Sequence, residues 1–115
     1  MSVSFPIYYS PNPPSGYSLD KKSFSSRAGV VTFYYVNGKN QKIAVTEQAK
    51  PAGYDFSQLS GTDQFNTALG QAYIEDFSVR TTGSVVSDKT WIIINSDNPI
   101  GEDAMKQILN SLQSA

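Results

Sequence analysis

Between residues 29 and 48 the sequence reads as two strands folded back on each other. Val30-Val31-Thr32-Phe33-Tyr34-Tyr35-Val36 is β-branched or aromatic throughout, and Asn37-Gly38 follows it. That pair is the strongest short hairpin signal. Residues 41–48 then return with Ile43 and Val45 facing one way and Ala44 and Thr46 the other. Side-chain parity restricts how the two strands meet. A two-residue loop opposes Thr32 and Ile43. A three-residue loop with Gly38 left-handed opposes Phe33 to Ile43 and Val31 to Val45. The second arrangement gathers the large apolar side chains on one face, so it is the one expected.

The rest of the chain supplies further strands. Residues 4–10 alternate through Phe5, Ile7 and Tyr9, and Pro6 restricts them to an edge strand or an extended arm. Pro11-Asn12-Pro13-Pro14-Ser15-Gly16 forms a stiff loop, and residues 17–24 alternate again until Ser25-Ser26-Arg27 breaks the pattern. Residues 70–77 oppose Ala72 and Ile74 to Tyr73, Glu75 and Phe77. Residues 81–86 and 90–95 form a second hairpin across Ser87-Asp88-Lys89. Ile92-Ile93-Ile94 lacks polar alternation, which predicts a central strand buried on both faces.

One helix is expected, over residues 100–113. Ile100, Ala104, Met105, Ile108, Leu109 and Leu112 make a single apolar stripe, with Gly101 at its entry and Glu102 and Asp103 at the positive end of the dipole. Such a stripe must be buried against something else. The expected fold is therefore α+β: a twisted antiparallel sheet of about 5–7 strands with the C-terminal helix packed on one face. Residues 1–115 form one domain, with strands and the Asn37-Gly38 hairpin in 4–48, an irregular loop over 49–69, strands in 70–95 and the helix at the end. A chain of 115 residues suits one core.

Composition narrows the chemistry. Cysteine and histidine are both absent, which excludes thiol catalysis, disulfides, Cys/His zinc sites and any imidazole base. Nine basic and ten acidic residues give a formal charge of −1, and the Lys and Arg residues are scattered apart from Lys21-Lys22. Nucleic-acid binding needs clustered cations, so it is not expected. The longest apolar run, Trp91-Ile92-Ile93-Ile94, is far short of the roughly 20 residues of a spanning helix. Met1-Ser2-Val3 shows neither the basic nor the apolar part of a signal peptide.

Taken in order, several segments resemble a bacterial domain-of-unknown-function family. They are Pro14-Ser15-Gly16-Tyr17-Ser18-Leu19, Thr32-Phe33-Tyr34-Tyr35, Ile43-Ala44-Val45-Thr46-Glu47-Gln48, Gly70-Gln71-Ala72-Tyr73, Trp91-Ile92-Ile93-Ile94 and Ile108-Leu109-Asn110-Ser111-Leu112. Members of that family often follow a membrane segment in envelope proteins, some related to anti-sigma regulators and lipoprotein-sorting proteins. Where they often carry a Leu-Pro-Glu-Gly-Tyr-like run, this chain reads Pro13-Pro14-Ser15-Gly16-Tyr17. The resemblance implies an extracytoplasmic, non-enzymatic module of the cell envelope, tethered through an anchor outside this chain, and brings no catalytic residues with it.

Candidate sites follow from side-chain chemistry. Glu75 and Asp76 are adjacent on a strand and point to opposite faces, so they do not share an ion. Asp55 and Asp63 lack the Asp-rich spacing of a calcium loop, and solvated carboxylates are the expectation. No catalytic residue, metal or cofactor is expected. Seven tyrosines, six phenylalanines and one tryptophan are the more informative surplus. Tyr8, Tyr9, Tyr17, Tyr54, Phe56 and Phe65 sit near turns, where half-buried aromatics pack or bind a partner. The leading expectation is a module that binds a protein or envelope component, as a monomer or homodimer. An alternative is a carrier for a small apolar ligand or lipid, which needs a helix–sheet cleft on the order of 300 Å³ or more. A hydrolase working through paired carboxylates is a third.

Overall fold

A computed structural model describes residues 7–50, 63–76, 80–87, 89–96, 98 and 100–114. Their elements run β1 (Tyr8–Tyr9), β2 (Ser18–Arg27), β3 (Val30–Val36), β4 (Lys42–Ala49), β5 (Asp63–Asn66), β6 (Gln71–Asp76), β7 (Thr81–Val86), β8 (Thr90–Ser96), α1 (Glu102–Ser111) and β9 (Gln113–Ser114). Seven strands form one antiparallel sheet in the order β2-β3-β4-β8-β7-β6-β5, and β1 pairs with β9 as a separate ribbon. The fold is α+β, an open sheet with one C-terminal helix packed on β7 and β6.

The side chains sort by strand parity. Val31, Phe33 and Tyr35 on β3, Ile43 and Val45 on β4, Ile92 and Ile94 on β8, Val85 on β7, and Ala72 and Ile74 on β6 are buried on the face that meets α1. Met105, Ile108 and Leu109 close that core from the helix side. The approach is close at Gly83 on β7, where a Cβ would lie 2.7 Å from both Cγ and Sδ of Met105. Thr81 anchors the helix entry, its Oγ1 accepting the N–H groups of Ile100 at 3.1 Å and Gly101 at 3.3 Å.

Several sequence expectations need correction. The β3–β4 hairpin keeps the expected parity but slides by two residues, opposing Phe33 to Val45 and Tyr35 to Ile43. The loop is Gly38-Lys39-Asn40, and Asn40, not Gly38, takes the left-handed conformation (φ 60°). Asn37 explains the choice: its Oδ1 accepts the N–H of Lys39 at 3.0 Å and of Gln41 at 2.9 Å, tying the loop across its base. Ser25-Ser26-Arg27 does not break β2; these residues pair with Thr32, Val31 and Val30. The chain turns instead at Ala28-Gly29, both at positive φ (53° and 78°), as a two-residue primed turn demands.

β8 is the central strand, yet only one of its faces is fully covered. Ile92 and Ile94 are buried, whereas Ile93 is half-exposed on the other side. The expected irregular loop contains β5, which pairs with β6 at the sheet edge, while residues 51–62 lie outside the described residues. The helix stops at Ser111. Leu112 swings to an extended conformation (ψ 133°), and Gln113–Ser114 pairs with Tyr8–Tyr9. The two ends of the described chain therefore meet over the sheet.

Candidate functional site

Two features stand apart from the apolar core. The first is a polar cluster on the helix-bearing face, in the half of the sheet that α1 leaves to the arm of residues 7–10. Glu47 follows Ile43 and Val45 at strand spacing, so the pleat turns it inward, between Val31 on β3 and Ile92 on β8. It is 0% exposed. Its Oε1 accepts the backbone N–H of Tyr8 at 2.8 Å, while Oε2 is buried without a partner among the described residues. Burial pushes its pKa up to about 8, and the Tyr8 N–H pulls the other way with less effect. At neutral pH the carboxyl group is therefore mostly protonated.

Tyr35 completes the cluster. Its hydroxyl accepts the N–H of Ser10 at 2.7 Å and donates to the carbonyl of Ser10 at 2.8 Å. Burial raises its pKa to about 12, the Ser10 N–H opposes that, and the Glu47 and Tyr9 charges add to it. One phenol thus satisfies both main-chain groups of a residue in the arm. Ser10 Oγ also lies 2.5 Å from Ser111 Oγ at the end of α1, and Gln107 Nε2 donates to the carbonyl of Asn12 at 3.1 Å. Most of these contacts grip main-chain atoms of the arm.

The second feature is the opposite face of the sheet. Tyr34, Tyr73, Trp91 and Ile93 lie there, all half-exposed, from β3, β6 and β8. Lys42 Nζ stands 5.2 Å from the Tyr34 ring centroid. Trp91 lies across β7, its Nε1 donating to Ser84 Oγ at 2.9 Å, and Ser84 Oγ in turn donates to the carbonyl of Ile92 at 2.8 Å. Among the described residues, α1 and the β1–β9 ribbon both lie on the other face.

The aromatics singled out from sequence do not converge. Tyr8 and Tyr9 sit together on β1; Tyr9 OH accepts from Gln113 Nε2 at 3.1 Å. Tyr17 leads into β2, and its hydroxyl is buried without a hydrogen-bond partner among the described residues. Phe65 is on β5, at the opposite edge of the sheet, with Lys106 Nζ 5.4 Å from its ring centroid. All four pack against the core. Tyr54 and Phe56 lie outside the described residues, as does Asp55. Glu47 and Tyr35 were missed as site residues although the signal was present: Glu47 shares parity with Ile43 and Val45, which places a carboxylate on the apolar face.

Other chemistry finds little support among the described residues. No three acidic side chains converge there as a metal site would require. An open depression of about 360 Å³, lined by Asn40, Gln41, Lys42 and Asn98, lies away from the helix–sheet interface. Among the described residues no helix is long and apolar enough to cross a membrane. Neither protein-family models nor curated protein sequences match the chain.

Proposed function

We propose that this chain is a non-catalytic binding module of an extracytoplasmic, membrane-anchored bacterial protein, and that it engages a protein partner through the sheet face opposite α1. The observation that carries the reading is the half-exposed group Tyr34, Tyr73, Trp91 and Ile93 on that face. Tyr and Trp are enriched at protein interfaces because they contribute large contact area at small entropic cost. The cellular location rests on the resemblance stated above. The carrier reading fits less well, because helix and sheet already touch at Gly83 and Met105 with no room for a methyl group.

The test is photo-crosslinking in the host, with the reactive side chain placed at Tyr73 or, as control, at exposed Asp103 on α1. The expected result is a discrete protein adduct from position 73, lost in Ile93→Lys and absent from position 103. Equal labelling at both positions contradicts the reading. An apolar small molecule retained by the purified protein in native mass spectrometry favours the carrier instead.

A further inference from the structure

The arm over residues 7–10 is held on the sheet by a short set of contacts, and one of them is chemically unusual. Tyr8 donates its N–H to a carboxyl group with no exposure and no second partner among the described residues. The remaining anchors are neutral: the Ser10–Tyr35 pair of hydrogen bonds, Ser10 Oγ with Ser111 Oγ, and the β1–β9 pairing. We propose that residues 7–10 form a proton-gated clasp, closed over the sheet while Glu47 is neutral and released when Glu47 ionises.

The reasoning is one of competing environments. With the arm closed, an ionised Glu47 has a single N–H to solvate it, and burial of a charge on one hydrogen bond is costly. With the arm lifted, water reaches the carboxylate. The Tyr8 N–H bond strengthens when its acceptor is charged, but burial is the larger influence, as the raised pKa shows. Among the described residues no cation offsets the charge: burial and the Tyr8 N–H are the influences on Glu47. The residues opposite Glu47 on β3 and β8 are Val31 and Ile92, and the titratable group coupled to it is Tyr35 on β3, which is itself coupled to Tyr9 on β1. α1 meets the arm through Ser111 and Gln107, both uncharged. Opening therefore takes up the tendency of an exposed Glu47 to ionise. Its equilibrium constant rises about tenfold per pH unit between the ordinary glutamate value and the raised one.

Amide hydrogen exchange of the full chain, followed residue by residue by NMR between about pH 5.5 and 7.5, tests this directly. Base-catalysed exchange alone accelerates about tenfold per pH unit, and gated opening multiplies that by about ten again. The expected result is that the Tyr8 and Ser10 amides exchange faster than those of Phe33 and Ile94 and accelerate about a hundredfold per unit. In Glu47→Gln, which keeps the acceptor and cannot ionise, the acceleration falls to about tenfold. A tenfold dependence in the wild-type chain overturns the proposal. So do arm amides that exchange only as fast as the core, because the arm then opens only with global unfolding.

Discussion

Glu47 Oε1 accepts the backbone N–H of Tyr8 at 2.8 Å, across 39 residues of sequence, from inside the sheet's apolar face. That bond ties the start of the described chain to the second strand of its main hairpin. It also leaves a carboxyl group buried with one oxygen unpartnered. Such a group is tolerated when neutral, and this makes the fold's stability depend on pH.

The direction follows from linkage. The folded pKa of Glu47, about 8, stands above the ordinary value of 4.5. Its contribution to stability is full below pH 4.5 and is lost as pH rises toward 8. Urea denaturation should show wild-type stability falling relative to Glu47→Gln by about 1.4 kcal/mol per pH unit across that window, on the order of 5 kcal/mol in all. Parallel pH profiles for the two proteins would contradict the assignment.

Tyr35→Phe removes the hydroxyl that satisfies both main-chain groups of Ser10. It keeps the ring and so the packing against Phe33, whose centroid lies 6.1 Å away. The expected cost is roughly 2–3 kcal/mol, because a buried N–H and a buried carbonyl both lose their partner. The Ser10 amide should lose protection before the β3 amides do. A loss below about 0.5 kcal/mol would mean that the arm contributes little in solution.

Gly83 is where the helix meets the sheet. In Gly83→Ala the new methyl group lies 2.7 Å from Met105 and 3.2 Å from Leu109 Cδ1. Met105 is flexible but fully buried, so its displacement should cost about 1–3 kcal/mol. Thermal denaturation reads the effect. The double variant Gly83→Ala with Met105→Ala should recover little, because it exchanges a clash for a cavity.

Ala28 occupies a turn position that calls for a left-handed residue, at φ 53°. Ala28→Asn should stabilise the protein by about 0.5–1 kcal/mol, since Asn tolerates that conformation and Ala does not favour it. The side chain is exposed, so nothing else is disturbed. A destabilised Asn variant would contradict the turn geometry.

The sheet and helix were legible because their periods are strong. β3, β4, β7, β8 and α1 fall within a residue or two of where alternation and the apolar stripe put them, as expected for elements whose two faces differ. What escaped was set by partners distant in sequence. Gln113–Ser114 has no strand signature and becomes β9 only because Tyr8–Tyr9 lies beside it. The hairpin slid by two residues because Asn37 caps its own loop. Ser25-Ser26-Arg27 looked like a break because an exposed edge strand has little apolar content to show. Glu47 was readable from parity alone; its importance depends on the arm above it.

The most direct measurement is the ionisation of Glu47 itself, by following its carboxyl carbon by NMR across a pH titration of the folded protein. A midpoint near 8, with the Tyr8 amide shifting in step, is the result expected of a carboxyl group buried beneath the arm. A midpoint near the ordinary 4.5 would show that water reaches Glu47 freely, and that the arm does not close over it.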